Sequence, residues 1–158
     1  MLDAANAGGV AQVCRRVDGI ALAIELAAAR ITMLTPIELA RRLDQRFRLL
    51  AGGRRTAVER HQTLRAAIDW SYELLSDWEK LAFLQACVFA GGFFLDAAET
   101  VIDLSSFEDA PLALDAVQGL REKSLLTASE GKYETRYAMY GAIRDYGRAK
   151  WKEIFSPA

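Results

Sequence analysis

Apolar positions recur at helical spacing along most of this chain. Val10, Val13, Cys14 and Val17 share one helical face, and Gly19 suits a left-handed stop, so a first helix is predicted to end near Asp18. From Ile20 to Arg30 the chain is apolar on nearly every side and rich in alanine. That length, with such strong helix formers, predicts a buried helix rather than a strand. Thr35-Pro36 has the form of an N-cap followed by proline at the first helical position, and Ile37, Ala40, Leu43, Phe47 and Leu50 mark one face of a third helix. Arg41, Arg42, Arg46, Arg48, Arg54 and Arg55 fall mostly off that face. They read as a solvated surface, or as a site for an acidic partner or a phosphate.

Residues 51–61 are polar and glycine-containing and are expected to form a linker, with His61 a solvated loop residue. Beyond them Leu64, Ala67, Ile68 and Leu75 describe an amphipathic helix carrying Trp70 and Tyr72. Ser76-Asp77-Trp78-Glu79 has the spacing of a capping box, in which the serine oxygen and the glutamate carboxylate each accept the other residue's amide. It should open a helix with Leu81, Leu84 and Val88 inward. Gly91 and Gly92 interrupt helicity, Ala97, Ala98, Val101 and Ile102 form a short helix, and Pro111 opens another through Ala113, Val117 and Leu120. The period then changes from helical to alternating. Leu125-Leu126-Thr127, a turn at Ser129-Glu130-Gly131, and Tyr133, Thr135, Tyr137 and Met139 predict an antiparallel hairpin at about 124–139, followed by a last helix with Ile143 and Tyr146. The expected fold is mainly α: a three-helix subdomain over 1–50, the linker 51–61, a winged-helix domain with a small β-hairpin wing over 62–152, and a tail, 153–158.

The composition, 52% apolar and 26% charged over 158 residues, is that of a folded globular chain and excludes disorder. The longest apolar stretch, Gly19 to Ala29, carries Glu25 and falls short of the roughly 18 residues a membrane span needs. The first six residues lack the basic and apolar regions of a secretory signal, so a cytoplasmic location is expected. Cys14 and Cys87 sit in apolar helical patterns and are expected to be reduced core thiols. With one histidine and no C-x-x-C pair, no metal site is expected. No G-x-S-x-G elbow or His-based triad can be assembled either, so the chain is not expected to be an enzyme. Residues 1–65 carry 11 Arg against 6 Asp and Glu, whereas residues 66–158 carry 9 Lys and Arg against 15 Asp and Glu. Only the N-terminal part has the excess of positive charge that nucleic acid requires.

In order and spacing, several segments resemble the bacterial STAND, or NB-ARC-like, signalling ATPases found in transcriptional regulators of the LuxR and SARP types. These are residues 10–30, Gln62 to Leu75, Val88 to Phe93, Lys123-Ser124-Leu125-Leu126 and Ile143-Arg144-Asp145-Tyr146. The likeness spans about residues 9–152 and corresponds to the family's helical lid and winged helix. It implies a nucleotide switch in which these parts close over ADP or ATP held by an upstream P-loop domain, with a helical-repeat sensor downstream. The phosphate loop itself has no counterpart: there is no G-x-x-x-x-G-K-[ST], and no lysine precedes Lys80. ADP or ATP is therefore expected only in the presence of that upstream domain.

Two segments would carry nucleotide contacts by this resemblance. Gly19-Ile20-Ala21 and the following Leu22 match the family's Gly-x-Pro motif, whose proline packs on adenine, with Ala21 in place of the proline. The other reading makes Gly19 a helix terminator and Ala21 a core residue. Met139-Tyr140-Gly141 falls where the family has a sensor histidine or acid. Tyr140 could donate a hydrogen bond there or simply pack under the wing. The two segments are expected to line one groove. Three functions follow: a nucleotide switch segment, a nucleotide-independent interaction scaffold, or a DNA-binding winged helix. Direct DNA contact is disfavoured because the helix that would enter the groove and its flanks carry Glu108, Asp109, Asp115 and Glu122 against Arg121 and Lys123.

Overall fold

Eight helices and one hairpin make up the described residues, 6–17, 19–47, 57–109 and 111–155, of this computed structural model. The mainly helical architecture with a single small hairpin near the C-terminus agrees with the sequence pattern. The chain divides into two units, Met1–Ser71 and Tyr72–Ala158.

The first unit holds α1 (Ala7–Arg16), α2 (Ala21–Ala28), α3 (Pro36–Phe47) and most of α4 (Ala57–Glu73). Its core is formed by Val13 and Val17 around α1, Ala23, Leu26 and Ala27 of α2, Leu39, Ala40 and Leu43 of α3, and Ala67 and Ile68 of α4. α1 meets α3 at Gly9, where a Cβ would stand only 2.9 Å from Cβ of Pro36. The start of α3 is held by a reciprocal cap. The Glu38 amide donates to Oγ1 of Thr35 at 3.3 Å, and the Glu38 carboxylate accepts the Thr35 amide at 2.9 Å and its hydroxyl at 2.8 Å. Those bonds hold the Glu38 carboxyl below its ordinary value, the Thr35 amide foremost.

Leu39, rather than the expected Ile37, faces the core of α3, and Ile37 is exposed. The two residues lie about 200° apart around a helix, so only one of them can join Ala40 and Leu43. Leu50 and the arginines at 48, 54 and 55 lie outside the described residues. Arg30 is buried and donates Nη2 to the Ser71 carbonyl at 3.3 Å, tying the chain after α2 to α4. α4 begins at Ala57, inside the stretch expected to be a linker, and residues 51–56 of that stretch lie outside the described residues. His61 is therefore a helix position rather than a loop residue, because Ala57 to Gln62 contains no glycine or proline to stop a helix.

The second unit contains the end of α4, α5 (Asp77–Ala86), α6 (Leu95–Val101), α7 (Ala113–Glu122), β1 (Thr127–Glu130), β2 (Thr135–Ala138) and α8 (Gly141–Phe155). Ser76 and Glu79 form the expected capping box at the start of α5. Phe83 of α5 is fully buried beside Tyr72, with ring centres 5.6 Å apart, and Tyr72 meets Tyr146 of α8 edge-on at 5.8 Å. Val88, expected to point inward, is 61% exposed because α5 ends at Ala86 and Val88 lies in the turn that follows.

The strands pair antiparallel from Thr127 opposite Ala138 to Glu130 opposite Thr135. Ser129 and Glu130 belong to β1, so the turn falls two residues later than the Ser-Glu-Gly sequence suggested, closed by the Gly131 amide on the Glu134 carbonyl at 2.9 Å. Ser124, between α7 and β1, takes the left-handed conformation usual for a helix-ending glycine, with φ of 58°. α8 continues to Phe155, through part of the expected tail.

Candidate functional site

Gly19 closes α1 and leads into α2. Its amide donates to the Cys14 carbonyl at 2.9 Å, the Ile20 amide donates to Val17 at 3.0 Å, and Gly19 takes φ of 65°. A side chain at Gly19 would meet nothing within 4 Å, so glycine is required by the backbone angle and not by crowding. Ile20 is the N-cap of α2 in an extended conformation, and no side chain caps the helix. Ala21 therefore occupies the first helical position and is exposed rather than part of the core, while Ile20 and Leu22 are half-buried. The result is an open helix start lined by small and branched apolar side chains. It suits contact with a planar base, and the first helical amides lack a side-chain cap. None of the four residues is cationic, so the fit stops short of phosphate.

Tyr140 belongs to the second unit, in the two-residue link between β2 and α8. Its carbonyl accepts the Arg144 amide at 3.0 Å, the first hydrogen bond of α8, so it flanks the start of that helix. The residue is 43% exposed, so it is not buried beneath the wing, and a tyrosine there brings a hydroxyl that can donate or accept. Met139, the residue before it, is half-buried with its sulfur 3.7 Å from that of Cys87. Burial pushes the Cys87 thiol up to about 12; it stays protonated and donates to the Phe83 carbonyl at 3.2 Å. Cys14 is only half-buried, against the expectation of a core thiol.

Three arginines brace the segment between α5 and α6. Arg148 donates Nε to the Cys87 carbonyl at 3.2 Å, Arg144 donates to Ala90, and Arg136 of β2 donates to Gly91 at 2.7 Å. Arg148 thus takes up the carbonyl of the α5 C-cap, where positive charge is also favoured by the helix dipole, while Arg144 and Arg136 hold carbonyls of the turn beyond it. Gly92 follows with φ of 92°, and Phe93 exchanges two backbone hydrogen bonds of 2.8 Å with Tyr137. The Ala90-Gly91-Gly92-Phe93 segment thus fixes the position of the hairpin and of the Tyr140 link. No local sequence rule reveals this clamp, because its partners are 45 to 61 positions apart.

The aromatic residues around the capping box are mainly core. Trp70, Tyr72, Phe83 and Phe93 are buried, and Phe89 stacks on Phe93 with ring centres 4.4 Å apart. Glu79 is buried, accepts the Ser76 amide at 2.9 Å and pairs with Lys123 at the end of α7. Burial alone would raise its pKa, but the Lys123 and Ser76 bonds outweigh it and hold the carboxyl below its ordinary value. The outer face of α7 carries Asp115, Gln118, Arg121 and Glu122 together with exposed Leu112 and Leu114. Among the described residues no group of His, Cys, Asp and Glu could hold a metal ion, and no helix is long and apolar enough to cross a membrane.

No protein-family model matches the chain. Over 148 residues, 92% of its length, the chain is 47% identical to proteins of Mycobacterium tuberculosis and Mycobacterium bovis, each named as a candidate HTH-type transcriptional regulator. It is also 38% identical, over 152 residues and 96% of its length, to an uncharacterized protein of Mycobacterium tuberculosis. The chain spans 16% of the length of the first two relatives and 39% of the third.

Proposed function

We propose that this chain acts as the regulatory segment of a transcription regulator, a helical lid followed by a winged helix that closes over ADP or ATP held by a P-loop domain. The observation that carries the reading is its 47% identity, over nearly its whole length, to a protein named as a transcriptional regulator of which it spans only 16%. A segment so small a part of its relative and without a phosphate loop of its own is suited to serve a neighbouring domain. The exposed start of α2, at Gly19, Ile20, Ala21 and Leu22, supplies apolar contact for the adenine edge. Tyr140 supplies a hydroxyl at the start of α8. Bound nucleotide would bring the phosphate charge that such a switch senses, and the cations that hold it belong to the P-loop domain. By itself the chain neither hydrolyses ATP nor binds it tightly.

The named relatives are of HTH type, which favours DNA contact somewhere in those proteins. In this chain the face of α7 carries Asp115 and Glu122 against Arg121, a balance that opposes contact with phosphates. Partner contact is the better role for that helix, and a nucleotide-independent scaffold would need no more than such faces.

Calorimetry with ADP tests the switch reading, comparing a P-loop ATPase domain alone with the same domain joined upstream of this chain. Joining should tighten ADP by about tenfold or more, equivalent to about 1.4 kcal/mol. Equal affinities would favour the scaffold.

A further inference from the structure

We propose that the groove between α5, α6 and α8 is a docking site for an acidic amphipathic helix. This inference is independent of the nucleotide reading. The groove is open, about 670 Å³ in volume, with Leu84, Val88, Val101 and Trp151 as its apolar lining. Val88 is 61% exposed and Trp151 38% exposed, and Phe155, 51% exposed, lies against Trp151 with ring centres 4.4 Å apart. A large flat aromatic with a second ring beside it is the kind of anchor on which helix-in-groove contacts depend.

Charge selects the occupant. Arg148 and Lys152 are the charged residues that line the groove, and both are cationic. They stand one helical turn apart on either side of Trp151 along α8, matching carboxylates one turn apart on a partner helix. No carboxylate among the described residues forms an ion pair with either. Glu153 is paired with Lys150 at 3.1 Å, and Asp145, one turn before Arg148, does not line the groove. Arg148 is held by its Nε bond to the Cys87 carbonyl, so its remaining guanidinium donors are oriented before a partner arrives. A partner with an apolar stripe edged by Asp or Glu would cover the exposed rings and neutralise both cations. A basic helix or a wholly apolar surface would leave the cations opposed or unpaired.

The test titrates the full chain against a labelled synthetic amphipathic helix of leucine, alanine and glutamate, read by fluorescence anisotropy, with the same peptide carrying lysine for glutamate as its counterpart. The glutamate peptide should bind saturably and weaken as salt rises, and the lysine peptide should not bind. Trp151→Ala should weaken the glutamate peptide by about tenfold or more. Lys152→Glu removes no core contact, so it remains informative if Trp151→Ala unfolds the chain. It should weaken the glutamate peptide and gain affinity for the lysine peptide. Absence of binding, equal binding of both peptides, or binding unchanged in both variants would overturn the proposal. So would Trp151-dependent self-association in sedimentation, which would assign the groove to a second copy of the chain.

Discussion

Gly119 of α7 lies so close to Glu79 of α5 that a Cβ on it would stand 2.9 Å from the glutamate Oε1. Glu79 cannot easily yield, because Ser76 and Lys123 hold its carboxylate. Gly119→Ala sets about 1 kcal/mol of helix propensity gained against about 1–3 kcal/mol of overcrowding. The expected outcome of urea denaturation is a net loss of about 1 kcal/mol. In a Glu79→Ala background the same substitution should be stabilising, a reversal that crowding at Glu79 requires.

The Glu79 carboxyl also predicts a pH dependence. Its folded pKa is below the ordinary 4.5, so its contribution is fully present above that value and is lost as pH falls through the lower, folded value. Denaturation curves for Glu79→Gln should show a deficit against the parent that is constant near neutrality and narrows below about pH 4.5. A deficit unchanged down to pH 3 would show that the carboxylate charge contributes nothing.

Gly91 and Gly92 are adjacent and should respond very differently to alanine. A Cβ at Gly92 would meet the Tyr137 carbonyl oxygen at 2.8 Å on a backbone with φ of 92°, whereas one at Gly91 would meet nothing within 4 Å. Thermal unfolding should show Gly92→Ala losing about 2 kcal/mol or more, and Gly91→Ala within about 0.5 kcal/mol of the parent. Similar losses at both would contradict the close approach of β2 to this turn.

Ala21→Pro should be tolerated. Ala21 is the first residue of α2, where an amide has no helical partner, and Ile20 before it has ψ of 116°, which proline accepts. The expected result is unchanged or raised stability, by up to about 1 kcal/mol, in the isolated chain. A loss above about 1 kcal/mol would mean that the α1–α2 turn differs from the geometry described.

Local patterns in the sequence carried much of this architecture. The Ser76 and Thr35 caps, the left-handed Gly19 and the change of period before the hairpin all act within a few residues, so their spacing is visible without a fold. Thr35-x-x-Glu38 spells a whole capping box, of which the Thr-Pro pattern shows only the N-cap. Facing directions were harder. Ile37 against Leu39, and Val88 beyond the end of α5, depend on where a helix starts or stops to within a residue. The arginine clamp on Cys87, Ala90 and Gly91 and the Gly119–Glu79 contact join distant positions, so only the folded chain reveals them. Of the candidate site, Gly19's role at a helix end was legible. Whether Ala21 and Tyr140 are exposed was not, because small apolar and aromatic residues serve equally well inside and outside.

Hydrogen exchange with and without ADP, on this chain joined to an upstream P-loop ATPase domain, tests the nucleotide switch most directly. If lid and winged helix close over one nucleotide, ADP should slow exchange at the amides of residues 19–24 and of residues 139–144 together. Neither segment should respond in the isolated chain. Protection confined to the P-loop domain, with both segments exchanging as before, would contradict the switch.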